Sequence, residues 1–247
     1  MNTSPIIRLR ETASTNLHML ELLEKDSLPE GSVVTAEYQT AGRGQAGGSA
    51  WESAPAQNLT FSLLLRPEQI RAREQFILAQ ISALAVKETL DLFAGGFTVK
   101  WPNDVYWNNK KICGILIENT LMGEYISSSV VGIGLNVNQT AFPEMEAAPV
   151  SLRMITGEMY EREALLQRLL RRLFDRYRRI CSADALAEAR TEYRQALYRR
   201  DGFHPYRDRT GLFEACIADV EPSGHLLLML RSGETRRYAL KEVSCII

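Results

Sequence analysis

Three apolar, β-prone runs of this 247-residue chain end in loops punctuated by glycine or asparagine, and their order constrains the fold more than any other feature. They are Gly42-Arg43-Gly44-Gln45-Ala46-Gly47-Gly48, Lys100-Trp101-Pro102-Asn103-Asp104 and Gly132-Ile133-Gly134-Leu135-Asn136-Val137-Asn138. Each brings backbone N–H groups or a convergent polar side chain to the end of a strand, where a small anion is readily held.

Between these loops the hydrophobic period alternates. Ile6 to Arg10, Ser32 to Tyr38, Asn58 to Leu65, Phe97 to Trp101, Val105 to Trp107, Ile112 to Glu118 and Ser127 to Val137 read as strands. Helices are expected from the polar Thr12–Asn16 segment to about Lys25, over Gln69 to Leu90, over Glu161 to Arg179 and over Ala183 to Arg199. Beyond Phe203 only strands recur: Leu212 to Ala218, Leu226 to Arg231, Arg236 to Leu240 and Val243 to Ile247. The expectation from this pattern is a body of strands and helices with a small β-barrel of about 45 residues appended to it.

Composition removes several classes of function. Formal net charge is -1, which argues against broad affinity for nucleic acid. No apolar run is long enough to span a bilayer, and the N-terminal residues lack a signal core, so a cytoplasmic location is expected. Cys113, Cys181, Cys216 and Cys245 are dispersed, and the histidines His18, His204 and His225 share no metal-ligand spacing. No G-x-S-x-G elbow is present.

The first loop matches G-x-G-x-x-G, but a loop and then a strand follow it, so the helix that a dinucleotide-binding turn requires is missing. It is either a mobile surface loop or a cover that orders over an anion, with Arg43 between glycines and Trp51 anchoring its far side. Lys100, held extended near a proline, either pairs with a core carboxylate or neutralises an anionic ligand. Asp104 is either a turn cap or a group near the ligand, and Glu118 reads as an edge carboxylate. Gly114 marks a bulge or a close backbone approach. Period two puts Gly132, Gly134, Asn136 and Asn138 on one face, leaving room for something flat.

Taken in order, Ser14-Thr15-Asn16, Glu37 through Gly44, Val99 through Tyr106, Lys111 through Glu118 and Gly132 through Asn138 resemble the biotin protein ligases along nearly the whole chain. The resemblance implies an α+β fold: over residues 1–201 a catalytic domain with a mixed sheet flanked by helices, related to class II tRNA synthetases and lipoate ligases, and over 202–247 a small domain like an SH3 barrel. It implies that Ser14, Thr15 and Gln39, with Asn16 beside them and the backbone at Gly114 and Ile115, hold the ureido head of biotin. Arg43, in the loop with Gly42 and Gly44, would clamp carboxylate and phosphate. Lys100 would face the carboxylate and α-phosphate. Trp51 would close the loop, Trp101 would pack near the nucleotide, and Asn103 and Asp104 would lie at the end of the site. Asn136, beside the open face at Gly132, would lie in the nucleotide region near magnesium, whose ligands the sequence leaves unknown.

Two departures stand out. Many members carry a second arginine where this chain has Gln45, and the chain begins close to Ser14, without room for the DNA-binding domain of bifunctional members. The implied activity is biotinylation of a carrier-protein lysine from biotin and Mg·ATP through biotinyl-5′-AMP. The expected partner is a biotin carboxyl carrier protein, with neither DNA nor membrane, and the chain is expected as a monomer or homodimer. The competing readings are a lipoate or octanoate ligase and a non-catalytic biotin-binding regulatory module.

Overall fold

The computed structural model describes residues 4–25, 27–44, 50–144, 147–180 and 182–247; Gln45 and Cys181 lie outside them. A seven-stranded mixed sheet runs in the order β1-β2-β3-β7-β6-β5-β4. Its members are β1 (Ile6–Thr12), β2 (Val33–Gln39), β3 (Leu59–Leu65), β4 (Phe97–Lys100), β5 (Asp104–Trp107), β6 (Lys110–Met122) and β7 (Tyr125–Leu135). Only β1 and β2 pair in parallel, and α1 (Thr15–Lys25) connects them. Strand β3 is buried along its whole length, as its unbroken apolar run requires.

Period two sorts the core between the two faces. Val34, Leu64 and Val130 pack with Met19 of α1 on one side. Leu63, Leu65, Val131 and Ile133 belong to the larger core beneath α2 (Phe76–Leu90). Helix α2 is apolar almost all round because it lies between the sheet and the outer helices. Those are α4 (Arg162–Arg179) and α5 (Ala183–Gln195), while a short α3 (Leu152–Thr156) precedes them. Leu165, Leu166, Leu169, Leu170 and Leu173 turn the inner stripe of α4 to the core. Arg176, in the same helix, is buried and bonds Glu88 and, at 2.6 Å, Glu192, so its charge is compensated.

Helix α2 starts later than the sequence predicts. Residues before Phe76 pair with the β6–β7 hairpin instead: Ala72 N–H donates to Glu124 O and Ile126 N–H to Ile70 O. Helix α5 ends at Gln195 because the next residues bond β4, with Val99 N–H donating to Ala196 O and Tyr198 N–H to Val99 O.

The C-terminal residues form a second, antiparallel sheet of β8 (His204–Asp208), β9 (Gly211–Val220), β10 (Leu226–Leu230), β11 (Thr235–Tyr238) and β12 (Val243–Cys245). Its order, β11-β10-β9-β8-β12, is open, which corrects the expected SH3-like barrel. Closure would require β11 and β12 to pair. Each is at most four residues long, and β12 spends its hydrogen bonds on β8. The sheet rests on the body instead. Trp101 Nε1 donates to Gly224 O at 2.9 Å, Arg199 to Ile246 O, and Val220, Leu226 and Leu228 join the main core.

Asp208 ties this sheet together, accepting from the Thr210 hydroxyl at 2.6 Å, the Thr210 N–H at 2.7 Å and the Tyr238 hydroxyl at 2.8 Å. The Thr210 bond, then Tyr238, hold its carboxyl down to about 2 from the ordinary 3.8. A folded-state value below the unfolded one stabilises above the unfolded pKa and is lost as pH falls through the folded one. Asp208→Asn is therefore expected to lower Tm at pH 7, with the difference from the parent shrinking from about pH 4 towards pH 2. Thermal unfolding of both proteins across that range checks it.

Candidate functional site

A cleft of about 210 Å³ opens on the α1 side of the large sheet. Its floor is the β6–β7 pair, where Gly114 faces Gly134 and Leu116 faces Gly132 in register. The two glycines of β7 are required by close approach: a Cβ at Gly132 would overlap the Asn16 amide, and one at Gly134 would overlap the Trp51 indole. The flat group over the glycine face is thus the chain's own Trp51, whose indole nitrogen is buried without a partner.

The wall is the start of α1, where Ser14, Thr15 and Asn16 are almost wholly buried. Gln39, at the end of β2, accepts from the Thr15 N–H at 2.8 Å and the Thr15 hydroxyl at 3.1 Å. Ser62 Oγ lies 2.8 Å from Thr15 Oγ1 and 2.5 Å from Asn16 Oδ1. The result is a preorganised, neutral set of donors and acceptors.

Charge gathers elsewhere in the cleft. Arg43 Nη2 donates to Glu118 Oε2 at 2.7 Å, and its buried Nε has no partner. Trp51 N–H bonds Gly42 O, and Arg43 bridges to Ala50, so the neck of the glycine loop is pinned at both strands. Residues 45–49, with Gln45, lie outside the described residues. Lys111 Nζ lies 2.8 Å from Asp104 Oδ1 and 5.9 Å from the Trp51 ring centre.

Of the residues singled out from the sequence, Ser14, Thr15, Asn16, Gln39, Arg43, Gly44, Trp51, Asn103, Asp104, Gly114, Ile115 and Gly132 line this one cleft. Asn103 also has a local task, since its side chain donates to Ile115 O at 2.5 Å. Lys100 and Trp101 are not among the lining residues. They border an adjoining hollow of about 200 Å³ against the C-terminal sheet, which shares Asn103 with the cleft, and there Lys100 Nζ sits 5.3 Å from the Tyr106 ring centre. Asn136 is buried behind the floor and donates to Val150 O at 3.1 Å, with its Oδ1 unpartnered.

Lys111 was not singled out, and the reason is geometric. It stands three positions from Gly114, so strict alternation turns it to the opposite face. The register of β5 against β6 shifts between Val105↔Cys113 and Tyr106↔Lys111, leaving Ile112 as the extra residue. That bulge returns Lys111 to the glycine face. Glu118 and Leu116 alternate with Gly114, and that parity was available in the sequence. The Cys113 thiol, on the other face, is pushed up first by burial and then by the Asp104 charge, which keeps it neutral. Among the described residues no three His, Cys, Asp or Glu converge on a possible metal position.

The profile of the biotin/lipoate A/B protein ligase family matches residues 8–136. A biotin--[acetyl-CoA-carboxylase] ligase of Paracoccus denitrificans is 33% identical over 234 residues, covering 91% of this chain and 94% of that protein. The bifunctional ligase/repressor BirA of Bacillus spizizenii is 38% identical over 160 residues, 63% of this chain but 49% of that protein. The chain thus matches about half the length of such bifunctional relatives. A biotin protein ligase from Aquifex aeolicus, solved in complex with biotin and ATP, superposes with a TM-score of 0.80 at 27% identity over 98% of both chains.

Proposed function

The chain belongs to the biotin/lipoate A/B protein ligase family, and we propose that it attaches biotin to a lysine of a biotin carboxyl carrier protein, using ATP. The observation that carries this reading is the pairing, in one cleft, of a neutral hydrogen-bonding wall with the cations Arg43 and Lys111 over a glycine floor. A neutral ureido ring needs the wall, and an acid about to become an acyl phosphate needs the cations.

In the first step a carboxylate oxygen of biotin attacks the α-phosphorus of ATP, and pyrophosphate leaves with the electrons of the broken P–O bond. Two anions must meet, so Arg43 and Lys111 offset their repulsion and hold the reacting atoms together. In the second step the carrier lysine amine attacks the acyl carbon, AMP leaves, and the amine proton passes to solvent. No protein nucleophile takes part. The mixed anhydride hydrolyses readily, which gives Trp51 and the loop beyond Arg43 a purpose in excluding water. We assign to Lys111, which lines the cleft, the part that the resemblance gave to Lys100.

Magnesium would enter with the triphosphate and would offset its charge beside Arg43 and Lys111. Among the described residues no helix is long and apolar enough to cross a membrane. The free thiols Cys113, Cys216 and Cys245 support a reducing, cytoplasmic setting.

Biotin-dependent ATP–pyrophosphate exchange tests the reading. Exchange is expected with biotin and to be at least about tenfold weaker with lipoate, which lacks the ureido group that Thr15 and Gln39 would meet. Equal exchange with lipoate moves the reading to a lipoate ligase. Biotin binding without exchange moves it to a regulatory module.

A further inference from the structure

We infer that Glu118 is a positioning residue of this cleft, fixing the anion-binding arginine to the head-group wall through a single carboxylate oxygen. Its Oε2 accepts from Arg43 Nη2 at 2.7 Å and from Asn16 Nδ2 at 2.8 Å. The inference rests on reading the cleft as an acyl-adenylate site.

A carboxylate beside a site for two anions is unfavourable on charge alone. Its presence calls for a task that outweighs the repulsion. Arg43 supplies it. This residue stands between two glycines at the neck of a loop, where the backbone does little to fix a long side chain. Glu118 sits on β6 in register with Val130 of β7, beyond the stretch of β6 that pairs with β5, so its carboxylate is carried by a strand backbone rather than by the loop. Bonding to it orders the guanidinium before a ligand arrives. The bond uses Nη2 and leaves Nε, buried and unpartnered, among the donors available to an anion.

The same oxygen orients Asn16. The Asn16 amide nitrogen also reaches Leu116 O at 3.2 Å, while its Oδ1 meets Ser62 Oγ. Glu118 therefore links Ser62, Asn16 and Arg43 into one chain of hydrogen bonds from the wall to the cation. Lys111 is held in a parallel manner by Asp104 at the other end of the cleft. Both cations are paired within the protein, each by a carboxylate that leaves further donors for the ligand.

Glu118→Gln keeps the size of the side chain and one oxygen that can accept from both Arg43 and Asn16, but that oxygen carries no charge, so the bond to the guanidinium loses its charge assistance. Loss of a charge-assisted bond predicts a rise in the biotin KM of about tenfold. More free acyl-adenylate should appear in carrier-free solution, while the ATP KM stays within about twofold. Glu118→Asp, which keeps the charge, is expected to recover part of the biotin KM.

The test measures exchange kinetics, biotin affinity by calorimetry and Tm for the parent, Glu118→Gln, Glu118→Asp, Arg43→Ala and the Arg43→Ala/Glu118→Gln double variant. Positioning through Arg43 requires that Glu118→Gln adds less than about twofold to the biotin Kd once Arg43 is gone. A full tenfold effect in that background would make Glu118 a merely structural group and overturn the inference. A lower biotin KM in Glu118→Gln would mean that the carboxylate competes with the ligand, which also overturns it, as does an unchanged KM. A parent protein without exchange would defeat the ligase reading itself, a result distinct from all of these.

Discussion

Lys111→Ala is expected to reduce biotin-dependent ATP–pyrophosphate exchange by about a hundredfold to a thousandfold, the range seen when one preorganised charge-stabilising group is removed. Its ammonium is the lysine nitrogen in the cleft, 2.8 Å from Asp104 Oδ1, and it is anchored from both sides of its backbone. Lys111 N–H donates to Ala148 O, and Lys111 O accepts from Val150 N–H. With the side chain gone, Asp104 is left as an uncompensated negative charge beside an incoming carboxylate and triphosphate, so the loss exceeds that of a cation alone. Lys100→Ala is the informative companion. That ammonium packs over Tyr106 beside the C-terminal sheet, and its removal should leave exchange within about threefold of the parent. Parallel exchange assays on the two variants decide between the lysines; the reverse ranking would sink the assignment made from the cleft.

Gly134→Val is expected to raise the biotin KM by about a hundredfold while leaving Tm within a few degrees of the parent. The backbone of β7 at Gly134 is ordinary extended strand, which a β-branched residue suits. Its Cβ, however, would stand where the Trp51 indole lies, so a valine would push that indole off the floor and into the space the acid needs. Gly95→Ala serves as a control, because a Cβ there meets nothing within 4 Å and both activity and stability should be kept. Saturation kinetics with Tm measured on the same preparations separates a blocked cleft from an unfolded protein. A Gly134→Val protein with parental KM would show that the ligand does not lie on this face.

Much of the site was legible in the residues. Period two set Gly132 and Gly134 on one face and left it open for a flat group. The short side chains of Ser14 and Thr15 before the leucine spacing of α1 announced a helix start rich in acceptors, and that helix start is the cleft wall. Arg43, placed between glycines, could already be read as a cation able to approach a ligand. Other positions have local partners that the sequence does not reveal. Trp101, next to the proline, looks like a cleft residue but turns its indole N–H to Gly224 in the C-terminal sheet. Asn136 keeps the period of the glycines yet spends its amide on Val150.

The sequence by itself determined most of the strands and helices, β8 excepted, and the placement of Gly132 and Gly134 on one face, because each depends on local pattern or on the alternation within one strand. The tertiary structure alone decided which lysine enters the cleft, that Glu118 meets Arg43, and that the C-terminal strands stay open. A bulge inverts the parity of a strand without leaving a mark in its composition, and Arg43 and Glu118 stand 75 positions apart. Closure of a sheet depends on whether two edges come within hydrogen-bonding distance, and here β12 pairs with β8 while the body supports the remaining surface. Such outcomes are set by the register between strands, and register is a property of the assembled fold.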